Sequence, residues 1–132
     1  MPSREPVPLR NEHDIVAARQ LVRTVAQQLQ FSLVDMTKLV TAASELARNA
    51  VVHGGGGTMR CETEHVSGRD CIRLTFEDSG PGIADIGLAM KDGWTSGGGL
   101  GMGLPGTKRL VNEFQLDTLP GNGTKVTIAR WK

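Results

Sequence analysis

The chain has 132 residues, of which 39% are hydrophobic, enough to fill one core, so we expect a single domain spanning residues 1–132. Its 15 Lys+Arg against 14 Asp+Glu give a net charge of +1 without a basic run, which argues against a nucleic-acid partner. No apolar stretch approaches the ~20 residues of a membrane span and no secretory signal opens the chain, so we expect a cytoplasmic protein.

The first half of the chain predicts a short strand followed by two amphipathic helices. Residues 7–10 suit an edge strand, because prolines are tolerated better at the edge of a sheet than at its centre. Apolar residues recur every three or four positions over residues 13–30, and again from about Asp35 to the glycine run of residues 54–57. This spacing is typical of two helices, the second of which ends at the glycines.

Residues 58–66 and 71–77 alternate between apolar and polar side chains, which predicts an antiparallel hairpin. Its candidate core residues are Met59, Cys61, Ile72, Leu74 and Phe76.

The two cysteines are predicted to be reduced packing residues. A turn at residues 68–69 would set Cys71 opposite Val66. The same register would set Cys61 opposite Phe76, so the cysteines would not face each other. Because they also lack a CxxC spacing, neither a disulfide nor a zinc site is expected.

The second half of the chain begins with a glycine-rich segment, residues 83–103, which predicts a long loop with one short helix near residues 86–90. A helix is predicted over residues 104–113, followed by strands over residues 114–119 and 124–131 that a Pro-Gly-Asn-Gly turn joins. Grouped strands with helices between them favour an α+β fold: a two-layer sandwich with a mixed, mostly antiparallel sheet and helices on one face.

A polar pair and an Asp-x-Gly-x-Gly motif carry the first chemical signal. Glu45 and Asn49 are four residues apart, so they lie on one face of the second helix, at the edge of its apolar stripe. Asp78 follows an apolar strand, and Gly80 and Gly82 after it would let a ligand lie against the backbone. Taken singly, these residues are also typical of a solvated helix face and an ordinary turn.

The glycine-rich loop carries the second signal. Five of the seven residues 97–103 are glycine, and the loop leads directly into the helix at Leu104. Such a loop offers backbone N–H groups to phosphate, although a flexible linker has the same composition. The GxGxxG match at residues 101–106 follows no predicted strand and precedes no suitably spaced acidic residue, so we do not expect a dinucleotide site.

Four motifs in this order resemble the N, G1, G2 and G3 boxes of the GHKL ATPase superfamily, which has the Bergerat fold. The motifs are Glu45-x-x-x-Asn49, Asp78-x-Gly80-x-Gly82, residues 97–103 and Gly123-Thr124. Within that superfamily, residues 14–20 and 44–49 are similar to the serine/threonine switch kinases of the bacterial stressosome.

The resemblance implies a role for each motif. Asp78 would accept a hydrogen bond from the adenine amino group, with Thr124 assisting through water. Asn49 would bind Mg²⁺, and Glu45 would be the base that orients and deprotonates the incoming hydroxyl. The other residues implied to contact ATP are Gly80, Gly82, Gly97, Gly98, Gly99, Leu100, Gly101, Gly103 and Leu104.

The resemblance also implies partners. The substrates would be serine or threonine residues of STAS-domain antagonist and scaffold proteins, and the released kinase would activate a PP2C-type phosphatase. An ATP-regulated anti-sigma factor, with a sigma factor as its partner, shares the same motifs. A non-catalytic, nucleotide-gated binding module is a third alternative, but binding alone does not need a base such as Glu45.

Overall fold

The computed structural model describes residues 5–80, 103–118 and 121–132. The predicted loop of residues 83–103 and its short helix lie outside the described residues, apart from Gly103. The elements of the described residues are β1 Val7–Leu9, α1 Glu12–Gln28, α2 Leu33–Val52, β2 Gly57–Val66, β3 Arg69–Asp78, α3 Gly103–Lys108, β4 Glu113–Thr118 and β5 Thr124–Trp131.

Both long helices begin at a side-chain cap. The Asn11 side chain accepts the Asp14 N–H at 3.1 Å, and the Ser32 hydroxyl accepts the Asp35 N–H at 3.1 Å. Each bond satisfies a backbone N–H that has no partner within the helix, which stabilises a helix by about 1 kcal/mol. The acidic residues in the first turns add a favourable interaction with the helix dipole.

The described strands form one sheet in the order β1-β2-β3-β5-β4, and all four pairings are antiparallel. Buried side chains alternate along the strands and, except for Cys71 and Ala129, face the two long helices, which confirms the predicted α+β sandwich. The predicted core residues of the hairpin are all buried: Met59, Cys61, Ile72, Leu74 and Phe76.

The opposite face of the sheet is charged. The Arg73 guanidinium donates to Glu64 at 2.7 Å and to Glu113 at 3.2 Å. This face therefore carries ion pairs that join β2, β3 and β4, while the helices cover only the apolar face.

The hairpin turn consists of Ser67 and Gly68, not of residues 68–69 as predicted. Ser67 has φ 54° and Gly68 has φ 79°. A two-residue turn with both central residues in the left-handed region matches the twist of the strands that it joins. Sequence favoured the wrong pair because serine seldom adopts this conformation.

The shifted turn moves the strand register by two residues. Cys71 lies opposite Glu64, two positions from the predicted Val66, and Cys61 lies opposite Leu74. Because the shift is even, every side chain keeps its predicted face. Both cysteines are buried and form no disulfide, as predicted.

The helix predicted over residues 104–113 is too long, since α3 ends at Lys108. Tertiary contacts end it early. The Asn112 N–H donates to the Ala129 carbonyl at 2.9 Å, and the Asn112 side chain accepts the Trp131 N–H at 2.8 Å. Asn112 is thereby bound to β5, which a helix extending to this point could not allow.

Candidate functional site

Asp78, the last residue of β3, has a strand neighbour on each side. It lies opposite Gly57 of β2 and opposite Thr124 of β5. Directly opposite residues of an antiparallel pair project on the same face. Asp78 and Thr124, far apart in sequence, therefore lie side by side at the rim of the sheet, on the face that carries the helices.

The half-buried Asp78 carboxylate is held by a local turn. Its Oδ1 accepts the backbone N–H of Gly80 at 2.9 Å. This bond is typical of an Asx turn, and it fixes the side-chain orientation. Among the described residues no donor reaches Oδ2.

Gly54, directly after α2, touches this carboxylate. A Cβ placed on Gly54 would lie 2.4 Å from Asp78 Cγ and 2.6 Å from Oδ2. From the other side, a Cβ on Gly80 would lie 2.7 Å from the Gly54 Cα. We call this contact of Gly54 with Asp78 and Gly80 the glycine seam. It brings the C-terminal end of α2 against the rim of the sheet.

Thr124 presents an acceptor beside Asp78. The Thr118 hydroxyl donates to the Gly123 carbonyl at 3.0 Å, and the hydroxyl oxygens of Thr118 and Thr124 are 3.0 Å apart. Either hydroxyl can be the donor of this hydrogen bond, and in both cases the Thr124 oxygen keeps a lone pair that can accept.

Helix α2 carries Glu45 and Asn49 toward that rim. Both side chains are half-buried, and neither makes a hydrogen bond to another residue in the described part of the chain. With a rise of 1.5 Å per residue, they lie about 10.5 Å and about 4.5 Å along the axis from the helix end at Val52. The order away from Asp78 is therefore Asn49 and then Glu45.

Glu45 also lines a groove of about 560 Å³ between α1 and α2, which we call the α1–α2 groove. Arg19 and Arg23 of α1 form one wall, and Thr41 and Ser44 of α2 lie beside Glu45 on the other. The residues that line this groove do not include Asp78, Gly80 or Thr124.

An ion pair fixes the other end of α2. Arg130 of β5 donates to the Asp35 carboxylate and, at 2.9 Å, to the Leu110 carbonyl. The hydrogen bond from Arg130 lowers the pKa of Asp35, although partial burial opposes it. No group of the described residues forms a hydrogen bond with the buried Arg130 Nε. Arg130 thus joins β5, α2 and the segment after α3.

A second ion pair closes the turn between β1 and α1. The Asp14 carboxylate accepts the Arg10 side chain and the Arg10 backbone N–H, both at 2.8 Å. These hydrogen bonds lower the pKa of Asp14. Asp14 therefore fixes the start of α1 and takes no part in the Asp78 rim.

Several predicted site residues lie outside the described residues: Gly82, Gly97, Gly98, Gly99, Leu100 and Gly101. Gly103 is the first residue of α3. The Leu104 side chain is buried in the core, so only its backbone could contact a ligand.

Sequence reasoning missed Gly54 and the two arginines of the α1–α2 groove. The run of residues 54–57 was interpreted only as a helix stop, and nothing in it distinguishes Gly54 from its neighbours. Arg19 and Arg23 are four residues apart on a helix, a spacing that predicts one face but not the groove that it borders.

In residues 5–80, 103–118 and 121–132, no group of three or more His, Cys, Asp or Glu side chains could hold a metal ion. None of the helices in these ranges is long and apolar enough to cross a bilayer.

Comparisons with known proteins point in one direction. Residues 34–132 match the family described as histidine kinase-, DNA gyrase B-, and HSP90-like ATPase. The chain is 46% identical over 125 residues to the serine/threonine-protein kinase RsbT of Bacillus subtilis (strain 168), covering 95% of this chain and 94% of that protein. It is 32% identical over 120 residues to the anti-sigma F factor of Clostridium beijerinckii, covering 86% and 82%.

The fold is also similar to a solved structure. The crystal structure of the RsbU and RsbW domains of a Mycobacterium tuberculosis protein matches with a TM-score of 0.68 and 18% identity. The match covers 100% of this chain and 33% of that one. At this identity the likeness supports the fold alone.

Proposed function

The chain belongs to the histidine kinase-, DNA gyrase B- and HSP90-like ATPase family, and from that membership we propose that it is a Mg-ATP-dependent serine/threonine protein kinase in a single domain. One observation carries the proposal. The glycine seam joins the end of α2, which bears Glu45 and Asn49, to the rim that bears Asp78 and Thr124. The proposed nucleotide acceptor at the rim, the proposed metal ligand and the proposed base thus follow one another from the rim along helix α2.

The rim fits an adenine base. Asp78 has one carboxylate oxygen bonded to Gly80 and the other open to an exocyclic amino group. Thr124 offers a lone pair to a water molecule beside it. Gly80 packs against Gly54, and we propose that Gly82, two residues on, is the glycine that lets a flat base approach the backbone.

Asn49 fits a magnesium ligand. Its amide oxygen is a hard donor, and no group of three acidic or His/Cys side chains surrounds it in the described residues. Mg²⁺ is commonly held by one or two protein oxygens together with phosphates and water. When bound there, it would neutralise charge on the phosphates, which is a large part of what phosphoryl transfer requires.

Glu45 is proposed to be the base. Its half-buried carboxylate lines the α1–α2 groove, through which a serine or threonine hydroxyl of a protein can approach. Glu45 orients that hydroxyl and accepts its proton as the oxygen bonds to the γ-phosphorus and ADP leaves. We further propose that the loop glycines cover the phosphates: Gly97, Gly98, Gly99, Gly101 and Gly103, with Leu100 and the backbone of Leu104.

The proposed substrates are STAS-domain antagonist and scaffold proteins in the cytoplasm. Phosphorylation adds close to two negative charges, which can break an interface. The kinase released in this way would activate a PP2C-type phosphatase in a stress-signalling partner switch. The similarity to RsbT over nearly the whole chain supports this assignment.

A second candidate function is an ATP-regulated anti-sigma factor. The similarity to anti-sigma F factors, at 32% identity over most of the chain, supports it. Both candidates require the same ATP site, and only the bound partner separates them.

The experiment is transfer of labelled γ-phosphate from Mg-ATP to a purified STAS-domain protein of the same organism. We expect transfer by the wild type and none above background by Glu45→Ala. Glu62→Ala is the matched control, because Glu62 lies in β2 on the charged face of the sheet, away from the cleft.

Tight ATP binding by the wild type without transfer would contradict the kinase assignment and favour a nucleotide-gated binding module. Inhibition of a sigma factor in a transcription assay, reversed by the STAS-domain protein, would favour the anti-sigma factor.

A further inference from the structure

We propose that Gly54 is a positioning residue for nucleotide recognition: its missing side chain leaves the space that the Asp78 carboxylate needs. The proposal rests on the proposed role of Asp78 as the acceptor of the adenine amino group. It extends that role to a residue in another element, which does not itself touch the nucleotide.

The requirement for glycine at Gly54 does not come from its own backbone. Gly55 has φ 73° and Gly56 has φ 108°, so these two residues supply the left-handed turn that ends α2. The backbone of Gly54 lies outside the left-handed region, where alanine is ordinarily accepted. What excludes a side chain there is the neighbour, Asp78.

Asp78 cannot move away from an added methyl group on Gly54 without losing a hydrogen bond. A methyl group on Gly54 would meet the Asp78 Cβ, Cγ and Oδ2 atoms within 2.4 to 2.6 Å. Rotation of Asp78 away from it would break the 2.9 Å bond between Oδ1 and the Gly80 N–H. Moving the helix end is also opposed, because Gly80 is already in close contact with the Gly54 backbone. The carboxylate must therefore change its direction.

A displaced carboxylate predicts a specific defect. Recognition of the amino group at position 6 of the purine should weaken, whereas contacts to ribose and phosphates should persist. The measurement is the ratio of two dissociation constants by titration calorimetry with Mg²⁺, one for ATP and one for purine riboside triphosphate, which lacks that amino group. Because both are measured on one variant, the ratio does not depend on the folded fraction.

The wild type should bind ATP more tightly by about tenfold or more, the value of one hydrogen bond to a charged acceptor. Gly54→Ala should bring the ratio close to one. Gly55→Ala is the matched control: it carries the same added methyl at a strained φ, with no atom within 4 Å of the new Cβ. It should lower the melting temperature yet keep the preference for ATP.

The outcomes separate the two hypotheses. A wild type without preference contradicts the role of Asp78, and this inference with it. A wild type that prefers ATP and a Gly54→Ala variant that prefers it equally overturn the inference alone. If Gly54→Ala does not fold, Gly80→Ala presses on the same seam from the other side and is judged by the same ratio.

Discussion

The two ends of helix α2 are held in different ways. At the C-terminal end the contact is between glycines and a carboxylate, with no side chain on Gly54 at all. At the N-terminal end long polar side chains make the contact, with Arg130 reaching Asp35 and Ser32 capping the first turn. The end beside the proposed nucleotide site has almost no tolerance for added volume, whereas the distant end depends on charge.

This difference fits the two proposed substrates of the helix, a nucleotide and a protein. Close backbone contact fixes Asn49 relative to Asp78, since neither glycine has a rotamer to change. Glu45, one turn further on, lines the open α1–α2 groove, through which the proposed protein substrate would approach. The rigid contact of the glycine seam and the open α1–α2 groove are thus separated along helix α2.

The largest expected effect is on ATP affinity, at the C-terminal end of α2 where glycines and a carboxylate are in close contact. Asp78→Asn turns an acceptor at the rim into a group that can present a donor to the adenine amino group. Loss of the charged hydrogen bond and an unpaired donor together should weaken ATP binding at least about 100-fold. Titration calorimetry measures it.

Asp117→Asn is the control, because Asp117 is exposed on the charged face of β4. An affinity for ATP that stays within about twofold of wild type in Asp78→Asn would contradict the rim as the adenine site.

The next largest effect concerns Glu45, which lines the open α1–α2 groove. Glu45→Asp keeps the carboxylate and shortens its reach by one methylene, so the base is misplaced by about 1 Å. Such a misplacement should lower kcat for phosphate transfer by about 10- to 100-fold. The affinity for ATP should be unchanged, since Glu45 is not proposed to bind the nucleotide.

Glu62→Asp, on the other side of the sheet, serves as its control. Equal losses of ATP affinity in Glu45→Asp and Asp78→Asn would show that the two ends do not have separate functions.

The smallest expected effect is on the free energy of unfolding and concerns the N-terminal end of α2. Asp35→Asn removes the charge that Arg130 contacts, and it should reduce the free energy of unfolding by about 1 to 2 kcal/mol at pH 7. The pKa of Asp35 is lowered in the folded state. Its contribution is therefore present above the unfolded value of about 4 and is lost as pH falls below it.

Urea unfolding from pH 7 to pH 2 should show wild type and Asp35→Asn converging only at the acidic end. A difference that stays constant with pH would mean that the ion pair does not stabilise this end of the helix.

Periodicity predicted α1, α2, β2 and β3, because burial of one face imposes a regular spacing on helices and strands alike, while prolines and turn residues predicted the other elements of the described residues. It failed where tertiary contacts override local preference. Asn112 continues a helical pattern but binds β5, and Ser67 occupies a left-handed position that local statistics assign to glycine.

The candidate site was predictable only in part for the same reason. Asp78 and Thr124 were predicted to act together, and the strand register puts them opposite each other. Gly54 could not be singled out, because the requirement for glycine there comes from the side chain of Asp78, 24 positions away in the chain, and not from the conformation of Gly54 itself. Steric exclusion between distant residues leaves no periodic signal.

The burial of both cysteines has a practical consequence. Cys61 and Cys71 are 1% and 3% exposed, and burial raises the pKa of the Cys71 thiol, which reduces its thiolate fraction. Maleimide reagents should therefore spare the native chain. A cysteine introduced at an exposed position, such as Thr41 beside the groove, would then be a single attachment point for a fluorophore, and docking of a partner could be followed without first removing either native thiol.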